Sequence, residues 1–156
     1  MNPHTHFLFP FVLGLLFTKL GFFSWELALL AGIIGAFVDI DHYIEHILHS
    51  KKNRFSLKST WNNSMKYHTF RQRSFIHDTN GAIILGFLFI ILSFFWWQIA
   101  LSFALGYYSH LLLDKIHLRK KQFLGRKNLH LYIHISYEEF LLDVLLVIFL
   151  GSYLLI

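Results

Sequence analysis

The stretch GAFVDIDHYIEH, residues 35 to 46, joins an apolar segment to a group of acidic and histidine side chains. Residues 27 to 38 carry no charge and are typical of a membrane span, yet two aspartates, a glutamate and two histidines follow them at once. Ionisable groups are costly within an apolar span and are retained there for function. The stretch therefore marks the edge of the membrane and a candidate site together.

The composition is that of a membrane protein. Of the 156 residues, 55% are hydrophobic, 19% are aromatic and only 15% are charged, and this length corresponds to roughly one domain. The chain has no cysteine, which excludes disulfides and thiolate metal sites, so any metal must bind nitrogen and oxygen. The first residues lack the basic start and the cleavage site of a secretory signal, so we expect the first span to be retained.

Five apolar segments predict an all-α fold, a multi-span membrane helical bundle of two helical hairpins plus a C-terminal helix. The hairpin turns are expected at residues 23 to 26 and 96 to 98. Tryptophan occurs at both, as in the aromatic belt at a membrane interface, and both turns should face the same side. Several segments are shorter than the ~20 residues that cross a bilayer core. Within one membrane domain, 1–156, the predicted parts are a hairpin 7–42, a basic loop 50–75, a hairpin 81–114, a basic loop 115–137 and a C-terminal helix 140–156.

The positive charges predict the orientation. Of the 14 lysines and arginines, all except Lys19 lie in the two loops that follow the hairpins. Two spans separate these loops, so the positive-inside rule places both loops and the N-terminus in the cytoplasm and the C-terminus outside. Basic residues beside a membrane commonly contact anionic lipid, so membrane lipid is the expected partner and no nucleic acid is expected.

Polar residues cluster at four predicted helix ends on the cytoplasmic side. Asp39, His42 and His46 project within a sector of about 60° on one helix face. Asp41 points to the opposite face, so it can join them only if the helix bends, and otherwise it would orient a histidine. A single histidine at such a place is commonly an interfacial polar residue, but the joint pattern favours one shared metal or catalytic site.

Several short motifs carry a family resemblance. They are Thr5-His6, the DIDH of residues 39 to 42, Arg73 with His77, and Ser109-His110 with Asp114. Over about residues 4 to 118 the chain resembles the LexA-regulated inner-membrane family of metal-dependent hydrolases. The resemblance implies a membrane-bound, metal-dependent hydrolase in the inner membrane.

The third motif departs from the family pattern. Gln72 stands where the pattern has histidine, and Asp78 stands where it has serine. His68 precedes Gln72 by four residues and could supply the missing imidazole across one helical turn.

The resulting prediction is a hydrolase with one or two divalent ions, most simply zinc or manganese, since imidazole and carboxylate suit both. Bound ions would activate water and polarise an ester or phosphoester oxygen, possible substrates being a lipid or another phosphoester. Asp41, Glu45 or His46 would act as general base, and the fork of Arg73 would bind phosphate. The predicted metal ligands are His6, Asp39, His42, His77, His110 and Asp114.

Two alternatives use the same side chains differently. A metal or proton transporter would need polar residues at the middle of the spans, where the sequence offers only Lys19 and Asp143. A non-catalytic scaffold would use the metal only to hold short helices together. Metal-dependent turnover separates the hydrolase from both, while the oligomeric state stays open.

The topology can be tested with reporters. Fusions after Arg54 and after Lys121 should report a cytoplasmic location, and a fusion after Ile156 an external one, because the basic loops stay inside. Protease digestion of right-side-out vesicles should leave both loops intact. Cleavage of either loop from outside would contradict the shared face.

Overall fold

The fold is given by a computed structural model that describes residues 2–50, 53–62, 75–116, 122–126 and 133–155. Within these ranges the chain is mainly helical, with one short pair of strands. In chain order the elements are α1 (Pro3–Lys19), α2 (Trp25–Phe37), α3 (Ile40–His49), α4 (Leu57–Asn62), a 3-10 turn (Phe75–His77), α5 (Thr79–Ile116), β1 (Gln122–Arg126), β2 (Ile133–Ser136) and α6 (Tyr137–Leu155).

Helices α1 and α2 form the first hairpin. Pro3 lies in the first turn of α1, where the missing N–H costs nothing, and Gly21 makes the turn with a φ of +76°. The two helices approach so closely that a side-chain carbon at Gly14 would lie 2.7 Å from the Cα of Ala28. Gly14 therefore serves helix packing.

Helix α5 is itself a hairpin. Its backbone leaves the helical region at Trp96, with φ −142° and ψ 69°, and the arms on either side fold back on each other. The hydroxyl of Tyr108 in the second arm donates to the carbonyl of Ala82 in the first at 2.8 Å, and Phe89 packs against Phe103. The predicted turn at residues 96 to 98 is confirmed.

Both hairpin turns lie at the same end of the bundle, as predicted. The side-chain amide of Gln98, just after the second turn, donates to the carbonyl of Phe22 in the first turn at 3.0 Å. The hydroxyl of Ser102 donates to the carbonyl of Leu27 at 2.6 Å, which fastens the second arm of α5 to α2. The opposite end of the bundle therefore gathers the start of α1, the end of α2 and the end of α5.

The distribution of polarity is that of a membrane protein. Large apolar side chains are exposed along the bundle, such as Phe94, which is 82% exposed, whereas His6, His110 and Glu139 are almost completely buried. Two helical stretches, Trp25–His49 and Thr79–Ile116, are long and apolar enough to cross a membrane, the second being doubled back at Trp96. The predicted all-α membrane bundle is confirmed.

A short ribbon leads into the last helix. Around residues 128 to 139 the sequence alternates apolar and polar residues, a period typical of a strand, and the described part of this stretch contains β2, which pairs antiparallel with β1. Helix α6 then begins at Tyr137 instead of residue 140.

Glu139 fastens α6 to the beginning of α1. One of its carboxylate oxygens accepts the backbone N–H of Asn2 at 2.6 Å, the Asn2 side-chain amide at 3.0 Å and the Thr5 hydroxyl at 3.0 Å. A carboxylate is favoured at a helix N-terminus because the N–H groups there have no partner within the helix. The last helix therefore fixes the start of α1 and the residue that follows Thr5, which is His6.

Replacing Glu139 should destabilise the bundle. Glu139→Ala removes three hydrogen bonds from a buried carboxylate, each worth about 1.5 to 3 kcal/mol, whereas Glu139→Gln keeps an acceptor oxygen and should be milder. Thermal unfolding of the detergent-purified protein, followed by circular dichroism, measures the loss. The exposed neighbour Glu138→Ala is the control, and equal melting of both alanine variants would contradict the anchoring role.

Candidate metal centre

Helix ends that are far apart in the sequence meet at the end of the bundle opposite the turns. The Nε2 atom of His110 lies 3.4 Å from Asp39 Oδ1 and 3.4 Å from Asp114 Oδ2. The Nε2 atom of His77 lies 3.0 Å from that of His110. One ligand atom from each of these four side chains falls within 4.8 Å of the others, so the group could hold a metal ion. We call Asp39, His77, His110 and Asp114 the central group.

Two glycines allow this meeting. A side-chain carbon at Gly106 would lie 2.5 Å from the carbonyl oxygen of Ala31, and one at Gly35 would collide with the carbonyl oxygen of His6. Glycine therefore lets α2 contact α1 on one side and the second arm of α5 on the other. These contacts bring His6 and His110 together, with their rings stacked at a centroid distance of 3.9 Å.

Hydrogen bonds at Nδ1 determine which nitrogen of each central histidine can bind a metal. Nδ1 of His77 lies 2.7 Å from Asp41 Oδ2, and Nδ1 of His110 lies 2.8 Å from the carbonyl oxygen of Gly35. A carboxylate and a carbonyl only accept, so each Nδ1 carries the proton and donates it. In the neutral rings both Nε2 atoms then present lone pairs, which is how metal-binding histidines are oriented.

The fit to a cation follows from this arrangement. With both rings neutral, the two Nε2 lone pairs and the oxygens of Asp39 and Asp114 are all acceptors, and they converge with no donor among these four side chains. Acceptors held this close repel one another unless a positive charge lies between them. Imidazole nitrogen with carboxylate oxygen is the donor set of zinc, manganese and non-haem iron sites.

His6 adds a further nitrogen to the same place. Its side chain is fully buried, and neither ring nitrogen makes a hydrogen bond to any residue that the structure describes. Nε2 of His6 nevertheless lies 3.2 Å from Asp114 Oδ1. A buried polar atom without a hydrogen bond is costly, and a metal ion shared with Asp114 would satisfy it.

Asp41 reaches the site because the helix is broken there. Helix α2 ends at Phe37 and α3 begins at Ile40. In the first turn of α3 the N–H of His42 donates to the carbonyl of Asp39, three residues back instead of four. This tighter 3-10 type of turn changes the direction of the following side chains. The structure combines the two possibilities that the sequence left open for Asp41, since the helix bends and Asp41 then contacts Nδ1 of His77, which is the orienting role.

A second group overlaps the first. Asp39, Asp41, His42 and His77 also bring one ligand atom each within 4.8 Å of the others, and His42 Nε2 lies 3.5 Å from Asp39 Oδ1. Because Nδ1–H of His77 donates a hydrogen bond to Asp41, His77 has only Nε2 left to bind a metal. The central group is therefore the better-formed ligand set, with His42 beside it.

Three predicted catalytic residues lie elsewhere or cannot be placed. His46 is buried, but its ring contacts the Ser50 hydroxyl at 3.0 Å and the Asn53 carbonyl at 3.3 Å. Glu45 is half-buried on α3 and belongs to none of the candidate ligand groups among the described residues. Arg73 lies outside the described residues, as do His68 and Gln72. Five of the six predicted metal ligands, by contrast, belong to the candidate ligand groups, and the sixth, His6, lies 3.2 Å from Asp114.

The departure at Asp78 has a local explanation. Its carboxylate accepts the N–H of Thr79 at 2.8 Å, at the start of α5, and aspartate serves as a helix cap as well as serine does.

Sequence reasoning missed one polar group. His4 Nε2 lies 2.9 Å from Asp143 Oδ2, and these two residues form a third candidate ligand group with Glu139. Glu139 and Asp143 are four residues apart on α6, a spacing that puts both on one helix face and was the available signal.

We call the central group together with His6, Asp41 and His42 the cluster. The cluster is sealed on one side and open on the other. The side chains of His6, Asp41, His77 and His110 are at most 8% exposed, whereas that of Asp114 is 36% exposed and that of His42 is 39% exposed. A molecule from outside can therefore approach along the edge formed by Asp39, His42 and Asp114.

Comparison with known proteins gives one match. The family model described as YdjM inner membrane protein matches residues 1–153. No curated protein and no solved structure matches the chain.

The effect of substitutions on metal binding should distinguish metal ligands from the residues that orient them. His110→Ala should abolish stoichiometric binding of zinc or manganese, whereas Asp41→Ala should weaken it about 10- to 100-fold, the usual cost of losing an orienting partner. Metal analysis and calorimetry of the detergent-purified protein measure both effects. The exposed histidine variant His49→Ala is the control. Unchanged binding in Asp41→Ala would show that Asp41 does not orient His77.

Proposed function

The chain belongs to the YdjM inner membrane protein family, and we propose that it is a membrane-bound hydrolase that uses one or two divalent metal ions. Zinc and manganese are the best candidates for the ions because they accept mixed imidazole and carboxylate ligands. In this proposal the site lies at the cytoplasmic face of the membrane, the side on which the positive-inside rule places the two basic loops.

The observation that carries this proposal is the convergence of acceptors in the central group. Two nitrogens of His77 and His110, prepared by their Nδ1 hydrogen bonds, face the oxygens of Asp39 and Asp114. A divalent ion bound there would activate water and polarise an ester or phosphoester oxygen.

The surrounding side chains have distinct tasks in this proposal. Asp41 and the carbonyl of Gly35 hold the two histidine rings in position. His42 lies at the open edge, 3.5 Å from Asp39 Oδ1, and there it can hold a proton for the leaving alcohol when the ester bond breaks. His42 is better placed for proton transfer than Glu45 or His46. Arg73 keeps the phosphate-binding role that its sequence position suggests.

The position of the site favours a membrane lipid or another amphiphilic ester as substrate. Exposed apolar surface surrounds the bundle, and 13 of the 14 lysines and arginines lie in the adjoining loops. An anionic headgroup would be attracted by the predicted basic segments 50–75 and 115–137 and brought to the depth of the cluster.

The two rival functions gain little support. The mid-span residues expected of a transporter are engaged elsewhere, because Asp143 pairs with His4 at the end that holds the cluster, and Lys19 lies 4.9 Å from the ring centroid of Tyr153. A purely structural metal needs no open edge, whereas the cluster has one.

Hydrolysis by the metal-loaded protein is the test. We expect turnover of a phosphoester or acyl ester from a broad panel, its loss on chelation and its return with zinc or manganese. Asp114→Asn should lower the rate at least about 100-fold, since a ligand matters more than an orienting partner. Glu26→Gln, beside the hairpin turns, is the control. Metal flux into proteoliposomes without turnover would favour the transporter, and binding with neither would favour the scaffold.

A further inference from the structure

A largely apolar cavity lies directly beside the central group. It has a volume of about 460 Å³ and opens between the start of α1, the end of α2, α3 and α4. Its walls include Ala36, Phe37, Ile40, Leu57 and Trp61. This volume lies within the range of ~300 to 1,000 Å³ that is typical of sites for small molecules.

The polar end of the cavity is part of the metal centre. Asp39 and His42 line it, and they are two of the side chains at the open edge of the cluster. A molecule that fills the cavity therefore ends within reach of the ligands, while the buried faces of His6 and His110 stay closed to it.

The rim of the cavity continues into the apolar exterior of the bundle. Phe37 is 59% exposed and Leu57 is 71% exposed, so the rim offers apolar surface along which a hydrocarbon chain can enter. The wall made by α4 is held in place, since the hydroxyl of Tyr43 on α3 donates to the carbonyl of Phe55 at 3.3 Å.

We propose that this cavity binds the apolar chain of a membrane amphiphile whose phosphate or ester head reaches Asp39 and His42. The inference rests on the proposed hydrolase and defines its substrate class, a lipid that carries the reacting ester at the end of a hydrocarbon chain. The occupant comes from the membrane, because the cavity joins the lipid-facing surface to the metal ligands.

The chemistry of the walls distinguishes a lipid chain from other occupants. A peptide would bring backbone N–H and C=O groups that need partners, and a sugar or nucleotide would bring several polar groups at once. Apolar walls with polar groups at one end suit a molecule that is apolar along its length and polar at one end.

Photolabelling tests the cavity without relying on activity. The probe is a long-chain alkyl phosphate that carries a diazirine near the end of the chain, added to the full-length protein in phosphatidylcholine vesicles with zinc or manganese. We expect labelling concentrated on α3 and α4, lowered by chelation of the metal and by excess unlabelled long-chain phosphate. The same probe with a hydroxyl head should label these helices less and without dependence on metal.

A pair of matched variants sharpens the test. Leu57→Asp places a carboxylate in the cavity wall and should reduce labelling of α3 and α4 about tenfold, because the chain would have to desolvate the charge. Leu48→Asp is the control, since Leu48 is 67% exposed on α3, close to the 71% of Leu57, and does not line the cavity. Ala36→Trp, which adds a large side chain to the cavity wall formed by α2, should reduce labelling as well. Metal content shows that each variant is folded.

The outcomes separate this inference from the proposed function. Labelling spread evenly over the lipid-facing helices, or unaffected by Leu57→Asp and Ala36→Trp in metal-loaded protein, overturns the cavity and leaves the hydrolase standing. Wild-type protein that binds no zinc or manganese overturns the hydrolase, and with it the substrate class. Labelling that is metal-dependent and lost in both cavity variants supports the inference.

Discussion

Two imidazole nitrogens, Nε2 of His77 and Nε2 of His110, face each other across 3.0 Å, and the hydrogen bonds on the far sides of both rings leave lone pairs on the near sides. Carboxylates of Asp39 and Asp114 complete the same space. Such a set of acceptors is unfavourable without a cation and favourable with one. The arrangement of the helix ends is understandable as the means of holding these four groups together at one end of an apolar helical bundle.

The close helix contacts follow from that requirement. Short side chains reach a common point only if their helices nearly touch, and glycine at positions 35 and 106 permits the contact. The carbonyl of Gly35 also accepts the hydrogen bond from Nδ1–H of His110. Gly35 therefore provides both the space for the helix contact and the orientation of the His110 ring. Glu139 acts from further away, since it fixes the first turn of α1 and thereby the stacking of His6 on His110.

The sequence predicted the two hairpins, the shared end of the turns and the convergence of the six candidate ligands, because apolar segment length and the spacing of polar groups carry that information. It could not predict the roles within the cluster. Whether Asp41 reaches the cluster depends on one backbone hydrogen bond from the N–H of His42 to the carbonyl of Asp39. The side-chain directions of an ideal α-helix do not predict this tighter turn. His46 illustrates the converse, because its helical spacing suggested the site while a local contact with Ser50 directs it elsewhere.

The uneven exposure of the cluster bears on its purpose. A structural metal is best enclosed on all sides, since closed coordination excludes water and competing ligands, while a catalytic metal keeps a position open. Here the side chains against the helix contacts are sealed, and those of His42 and Asp114 are more than a third exposed. The sealed side lies where α1, α2 and α5 meet, and the open side adjoins the cavity beneath α3 and α4. Because the cavity proposed to hold a lipid chain lies on the open side, the same asymmetry that favours catalysis over a scaffold is consistent with a substrate that arrives from the membrane.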